Sequence, residues 1–243
     1  MTNVIAYTAR AYYSNLRVIL LFSLSFIIAF LIPILAFFPT YNDMGAIFVR
    51  TASELLNLNI FSFSVIIVSV LFSLIFLSFA IVAINIIVKH SRVHVRIKKE
   101  VFEGLEKYTS RVFAVLLLFT FLLSVFNLAV YLLVLPAYLY YIVALVLTPF
   151  FFYTPSSIVI DDLKVSHAIK MGTLFFFRRF DYFLVWLAIA VIVLAFFDFI
   201  FLALSHTAIS GYVMLAFNAI FIAPFLVLLQ SEMYMKRFAM LKR

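Results

Sequence analysis

The charged residues of this chain are confined to a few short stretches, and the segments between them carry no charge. A helix of a soluble domain has a polar face that recurs at every turn, so long charge-free runs are not expected there. A helix that spans a bilayer needs about 20 mostly apolar residues. The charge-free runs that reach or approach this length are Val18–Asn42, Leu55–Val88, Val112–Ile160, Tyr182–Phe197 and Phe199–Ser231. The pattern therefore predicts a protein that crosses a membrane several times.

The composition leaves little sequence for a separate soluble domain. Of the 243 residues, 67% are hydrophobic and 12% are charged, whereas an ordinary globular chain has about 45–50% and 25%. The longest charge-rich stretch, Lys89–Arg111, is too short to enclose a core of its own. We therefore expect a single integral membrane domain over residues 1–243.

Prolines and polar clusters divide the apolar runs into six spans, which predicts an all-α fold of six transmembrane helices. The run Val112–Ile160 is long enough for two spans, and Pro136 marks the turn between them. Tyrosines follow this proline, and tyrosine favours the headgroup region of a bilayer. The predicted spans are 18–38, 61–88, 112–134, 137–153, 182–204 and 211–231.

Lysine and arginine are distributed unequally between the two ends of these spans. In a six-span arrangement, 17 of the 18 Lys and Arg residues fall at one end, and Arg50 alone falls at the other. Basic residues accumulate in short cytoplasmic loops, so both termini are predicted to lie in the cytoplasm, with the chain in the cell (plasma or inner) membrane. The net charge of +8 then faces anionic lipid headgroups. Nucleic acid is not an expected partner.

Two segments at the charged end have the pattern of amphipathic helices. The first, residues 97–112, has Lys and Glu on one face and an apolar face of Ile97, Val101, Leu105, Tyr108 and Val112. The second, residues 161–180, has an apolar stripe of Val165, Ile169, Gly172 and Phe176 opposite Lys164, His167, Lys170 and Arg178. This spacing is typical of helices that lie in the membrane surface or pack beneath a bundle. The alternative is that each segment extends the next span.

Asp198 is the ionisable residue placed well inside an apolar span, and it is the main candidate for an intramembrane polar site. A carboxylate at that depth is costly unless it is protonated, hydrated or partnered. One interpretation is a proton or cation relay with Asn218 in span six or His206 nearby. The other, which we favour because no second buried carboxylate or intramembrane lysine is present, is a hydrogen-bonded residue that holds spans together. Asn127 in span three has the same structural interpretation.

No catalytic or cofactor-binding signature is present in the sequence. The chain lacks the phosphate-binding loop, the dinucleotide-binding turn, the paired-histidine zinc motif and the nucleophile elbow. It has no cysteine, which excludes disulfides and thiolate chemistry. His90 and His94 are four residues apart, but their neighbours are cationic and no further metal ligand has suitable spacing. We therefore expect no enzymatic activity, no cofactor and no metal.

The stretch from Pro155 to Leu163, followed by His167–Lys170 and an apolar segment, resembles a set of prokaryotic six-span membrane proteins. The set includes the YciC-like proteins and the membrane domain fused to some glycerophosphodiester phosphodiesterases. The resemblance covers Val112–Leu187 and implies that span four ends in proline, followed by a short extended run and a cytoplasmic helix. His167 stands where the set usually has an acid, and Met171 or Gly172 replaces an expected serine. The phosphodiesterase domain is absent, so the resemblance implies a fold and no chemistry.

Three functional classes fit this sequence. The first is a membrane protein without catalytic activity that is transport-associated or accessory. The second is the permease subunit of a six-span ABC transporter, with Val4–Arg17 as an interfacial helix and the segment after span two in contact with an ATPase. The third is a structural or assembly subunit of a larger membrane complex, in which Asp198 and the asparagines bind partner helices. A neighbouring ATPase gene would favour the second class, and fixed co-purifying membrane proteins would favour the third.

Overall fold

The computed structural model describes residues 2–35, 40–43, 46–49, 60–90, 97–136, 138–204 and 208–240. Nearly all of these residues are helical. The helices are α1 Thr2–Ser14, α2 Leu16–Leu35, α3 Ile60–His90, α4 Ile97–Leu132, α5 Tyr138–Phe151, α6 Thr154–Asp161, α7 Val165–Arg178, α8 Phe180–Leu204, α9 Ala208–Phe217 and α10 Ala223–Met240. A π-helical segment, Asn218–Ile222, joins α9 to α10.

Within the described residues, five helical stretches are long and apolar enough to cross a membrane, and there are six if the bent pair α1–α2 is counted as one span. The five are Phe63–His90, Val101–Leu132, Tyr138–Asp161, Phe180–Phe201 and Tyr212–Lys236. Each contains or overlaps one predicted span, and the first predicted span coincides with most of α2. The third stretch, which corresponds to predicted span four, runs on to Asp161, beyond the predicted end at residue 153, because α6 continues it after a turn.

The bundle is helical, as predicted, and a short hairpin is the exception among the described residues. Thr40–Asp43 pairs antiparallel with Ala46–Val49, with Thr40 opposite Val49 and Asp43 opposite Ala46. The hairpin carries β-branched and aromatic residues, which favour extended backbone. It lies in the segment between α2 and α3, so the spans themselves are unaffected.

Helix α1 turns sharply into α2 at Asn15, and the two helices meet at an angle of 89°. The Asn15 side chain donates a hydrogen bond from Nδ2 to the Ala11 carbonyl at 3.0 Å, and Ser14 Oγ donates to the same oxygen at 3.2 Å. Such side-chain bonds compete with the helical backbone pattern and favour a break. Helix α1 therefore lies across the bundle, where it packs mainly against α10.

Helix α3 lies at the centre of the bundle and packs against α2, α4, α6 and α10. Its second half is almost completely enclosed, and the residues concerned are Ala80, Val82, Ala83, Ile84, Ile86, Ile87 and Val88. Its first half is different, because Ile60 and Phe61 are 87% and 77% exposed. The tightly packed part of the protein is therefore the end of the bundle at which α3 finishes.

The first predicted amphipathic segment is the beginning of a longer helix. Helix α4 runs without a break from Ile97 to Leu132, so this segment extends span three, as the alternative interpretation expected. The apolar positions Val101, Leu105, Tyr108 and Val112 are buried, whereas Phe102 is 63% exposed. The second segment forms a separate helix, α7, between α6 and α8.

The extended run implied by the family resemblance is wrong, because residues 154–161 form helix α6. Pro155 lies in the first turn, where a proline is compatible with a helix. Residues Thr154–Ile160 are all buried, so the β-branched side chains pack against other helices on every side of α6. Asp162 ends the helix in the left-handed conformation, with φ 55° and ψ 44°.

Candidate functional site

Asp198 and Asn218, the main predicted site residues, form a buried pair. Asn218 Nδ2 lies 3.4 Å from Asp198 Oδ1 and donates a hydrogen bond to it. Asp198 is 8% exposed and Asn218 is 7% exposed. The pair links α8 to the π-helical segment, and Phe197 and Phe217 beside it have ring centroids 4.8 Å apart. Among the described residues, Asn218 Oδ1 has no hydrogen-bond partner.

The backbone next to Asn218 is itself unusual. Residues Asn218–Ile222 form a π-helix, a rare element that often occurs at functional sites. Pro224 follows closely, and because proline has no backbone N–H, it interrupts the regular hydrogen-bond pattern of the helix. Tyr12 in α1 donates its hydroxyl to the Phe221 carbonyl at 3.2 Å, so a distant helix satisfies an acceptor within the segment.

Asn127, a third predicted site residue, is not part of this pair. Asn127 lies in α4 and is half-buried. Its helix packs mainly against α3, α5 and α6, whereas Asp198 lies in α8, which packs against α7, α9, α10 and the π-helical segment. His206 lies outside the described residues. The structure thus brings together Asp198 and Asn218 from the four candidates.

A second group of buried polar residues lies near the end of the bundle where α3, α6 and α10 meet, and we call it the polar cluster: Asn85, Ser156 and Ser231. Ser231 Oγ donates to Asn85 Oδ1 at 2.7 Å, and Ser156 Oγ lies 3.3 Å from Ser231 Oγ. Asn85 Nδ2 donates to the Ile81 carbonyl at 2.8 Å. All three residues are at most 1% exposed, so one hydrogen-bonded set joins three helices inside the core.

Charged groups lie on the outer side of the polar cluster. Lys89 Nζ donates to the Val159 carbonyl at 2.7 Å, which ties α3 to α6. Tyr234 donates its hydroxyl to Asp161 Oδ2 at 2.6 Å, which ties α10 to α6. Glu232 of α10 is 1% exposed and lies within the stretch Tyr212–Lys236, so the bundle does contain a second buried carboxylate, contrary to the expectation from the sequence. The two hydrogen bonds, from Lys89 and from Tyr234, hold helix ends together at the charged end of the bundle.

Sequence reasoning missed the polar cluster, although signals for it were present. Asn85 is an amide within the second apolar run, equivalent in kind to Asn127 and Asn218. The run Gln230–Ser231–Glu232 places three polar residues at the end of the last span. Asn85, Ser156 and Ser231 come together only because particular faces of α3, α6 and α10 pack against each other, and the sequence pattern does not show which faces those are.

Asp162 accepts hydrogen bonds from two basic residues of α4. Lys107 Nζ donates to Asp162 Oδ2, and Arg111 donates to Asp162 Oδ1 at 3.0 Å. The bond from Lys107, together with that from Arg111, holds the pKa of Asp162 below its usual value. The arrangement fixes the turn between α6 and α7 against α4. Among the described residues, no group of three or more His, Asp or Glu could hold a metal ion.

A shallow groove of about 420 Å³ lies between α2 and α3, at the end of the bundle away from the polar cluster. Its lining is almost entirely apolar and consists of Ile32, Phe61, Ser64, Val65, Val68, Ser69 and Phe72. The two serines donate hydrogen bonds to carbonyls of their own helix, from Ser64 to Ile60 and from Ser69 to Ile66. The groove therefore offers apolar contacts, which suit a lipid chain better than a polar substrate.

Comparison with protein-family models, with curated proteins and with solved structures gave no match. The resemblance to the six-span prokaryotic proteins therefore remains a prediction from residues 112–187. In the described part of the chain, the structure contains two buried polar sites: the Asp198–Asn218 pair beside the π-helical segment, and the polar cluster at the charged end.

Proposed function

We propose that this chain is a multi-pass protein of the cell membrane that is accessory to transport or associated with it, and that it has no catalytic activity of its own. Its polar residues inside the bundle then serve to hold helices in position. The observation that carries this proposal is that Asp198, Asn218 and the polar cluster direct their hydrogen bonds to each other or to helix backbone. Hydrogen bonds of this kind between membrane helices contribute about 0.6–2 kcal/mol each.

Both termini are proposed to lie in the cytoplasm. The unequal distribution of Lys and Arg supports this orientation, because basic residues remain on the cytoplasmic side. Contacts of Lys89 in α3 and of Lys107 and Arg111 in α4 with α6, or with the turn after it, bring these basic residues to one end of the bundle. The exposed apolar side chains of α4, α5 and α8 would then face lipid or partner helices.

The permease subunit of an ABC transporter is the second candidate. The observation that favours it is the 89° angle between α1 and α2, because an N-terminal helix lying in the membrane plane is a feature expected of such permeases. The segment from Pro155 to Phe180 argues against a permease. The cytoplasmic segment at the corresponding position of such permeases is usually shorter, and the first part of the segment in this chain is buried in the bundle.

Gentle purification of the chain from its native membrane, followed by mass spectrometry of bound proteins, tests these alternatives. We expect the chain to be recovered with bound lipid and with substoichiometric amounts of transport proteins. We expect no ATPase in an amount equimolar with the chain. An equimolar ATPase would instead establish the permease. A fixed stoichiometric set of other membrane proteins would establish a structural subunit, and enzymatic turnover by the purified chain would contradict the proposal outright.

A further inference from the structure

Helix α7 has one buried and one exposed face, and its orientation is fixed by packing. Its inner face consists of Ala168, Gly172, Phe175 and Phe176, all buried. Ser157 of α6 donates its hydroxyl to the Ala168 carbonyl at 3.0 Å. The opposite side, which we call the α7 basic face, is exposed and consists of Lys164, His167, Lys170, Leu174, Phe177 and Arg178.

The positive charges of the α7 basic face are not compensated within the part of the chain that the structure describes. The acids nearest to it in sequence are engaged elsewhere: Asp161 accepts a hydrogen bond from Tyr234, Asp162 pairs with Lys107 and Arg111, and Asp181 pairs with Arg179. Helix α7 contains no acid. Lys164, Lys170 and Arg178 take part in none of these ion pairs, so the face presents three basic side chains to its surroundings.

The α7 basic face also exposes large apolar side chains among its charges. Leu174 is 43% exposed and Phe177 is 64% exposed. Helix α8, a membrane-spanning candidate, begins at Phe180, which is itself 46% exposed. Phe177 therefore lies about one turn before a span begins, which is the depth of the headgroups and the upper acyl chains.

We propose that the α7 basic face binds anionic phospholipids of the cytoplasmic leaflet. Lys164, Lys170 and Arg178 would contact the phosphate-bearing headgroups, while Leu174 and Phe177 insert among the upper acyl chains. A helix with basic residues beside exposed Leu and Phe fits a lipid surface, and anionic lipid attracts basic residues near the membrane. The proposal rests on the membrane placement proposed above and adds the surface and the residues that select anionic lipid.

Quenching of tryptophan fluorescence by brominated lipid tests this proposal directly. Trp186 is the only tryptophan of the chain, so Trp186→Phe combined with Phe177→Trp places a single reporter on the α7 basic face. The variant is reconstituted in phosphatidylcholine vesicles that contain either brominated phosphatidylglycerol or brominated phosphatidylcholine at the same mole fraction. We expect the anionic lipid to associate several-fold more strongly, since one basic residue near an anionic surface contributes roughly fivefold.

Matched variants show whether the preference for anionic lipid depends on the charge of the three basic side chains or only on their size. Lys164→Gln, Lys170→Gln and Arg178→Gln together should remove the preference, whereas Lys164→Arg, Lys170→Arg and Arg178→Lys together should retain it. Ile192→Trp with Trp186→Phe provides the control reporter, because Ile192 is 67% exposed in the middle of α8, away from these charges. That reporter should be quenched equally by the two lipids.

Four results would overturn the proposal. Equal quenching of the reporter at position 177 by both lipids would show no selection, and a preference that survives loss of all three charges would show that other groups cause it. Quenching at position 192 but none at 177 would place α7 away from the bilayer and would favour an acidic protein partner. Absence of quenching at both positions would contradict the membrane placement itself, whereas the first three results would contradict only the lipid-binding proposal.

Discussion

The buried pair Asp198–Asn218 is the feature on which a structural and a transport role differ most. As a structural pair, it needs one hydrogen bond between α8 and the π-helical segment, and a neutral amide at position 198 can supply that bond. As a relay, it needs a group that can take up and release a charge. The hydrogen bond in the structure, from Asn218 Nδ2 to Asp198 Oδ1, is compatible with the structural role that we favour.

We therefore expect Asp198→Asn to leave folding, thermal stability in detergent and cellular function unchanged. Asn218→Leu should lower the free energy of unfolding by about 1–3 kcal/mol, because it leaves the buried Asp198 carboxyl without its donor. Asn127→Leu is the matched control, since Asn127 is half-buried, and its effect should be smaller. Loss of a proton-dependent activity in a well-folded Asp198→Asn protein would instead establish the relay.

Gly172 sets the close approach of α7 to the start of α6. A Cβ atom added there would lie 3.0 Å from both the backbone nitrogen and Oγ1 of Thr154, and 3.2 Å from the Tyr153 carbonyl carbon. Backbone atoms cannot move aside as a side chain can, so Gly172→Ala should destabilise the protein by about 1–3 kcal/mol.

Gly104→Ala is the control for this prediction, measured by thermal unfolding in the same detergent. Its added Cβ would overlap Cδ1 at the flexible end of the buried Ile86 side chain, so Ile86 must change rotamer, but no backbone atom has to move. Alanine also favours a helix more than glycine does, by about 1 kcal/mol. An equal loss of stability in the two variants would contradict the account of the α6–α7 contact.

At the scale of elements, α1 and the π-helical segment are joined although more than 200 residues separate them in sequence. The Tyr12 hydroxyl binds the Phe221 carbonyl, and the Tyr12 ring packs at 5.9 Å against that of Phe225. Helix α1 thereby supports the one helical irregularity found beside Asp198 in the described residues. The bend at Asn15 is what allows α1 to reach this position.

Tyr12→Phe should keep the ring packing and remove the hydrogen bond, at a cost of about 0.5–1.5 kcal/mol in the free energy of unfolding. The adjacent Tyr13→Phe is the control, because Tyr13 is 76% exposed and should change stability little. Both variants can be compared by thermal unfolding in detergent. A larger effect from Tyr13→Phe would show that α1 does not dock as described.

The elements differ in how well the sequence predicts them. The spans follow from charge-free runs, because a bilayer imposes one requirement over about 20 consecutive residues. Helix α6 was not foreseen, since a buried apolar run rich in β-branched residues has no periodicity that distinguishes a helix from a strand. The polar cluster was missed for another reason: Asn85, Ser156 and Ser231 meet only after three distant segments have packed.

At the scale of the whole molecule, the separation of charged and apolar sequence explains both the location and the orientation proposed for the chain. Helices α3, α4 and α6, together with the turn after α6, bring Lys89, Lys107, Arg111 and Asp162 to one end of the bundle. That end is proposed to face the cytoplasm, and the surface groove between α2 and α3 then lies toward the outer leaflet. The central claim is this orientation, because the lipid-binding role of α7 depends on it.

Labelling of single cysteines in intact cells measures the orientation most directly, since the chain has no cysteine of its own. Lys170→Cys places a thiol on exposed α7, and Leu133→Cys places one at the opposite end, where Leu133 is 67% exposed. A membrane-impermeant thiol reagent added outside should label position 133 and should label position 170 only after the cells are permeabilised. Ready labelling of position 170 in intact cells would contradict the six-span, cytoplasmic-termini account.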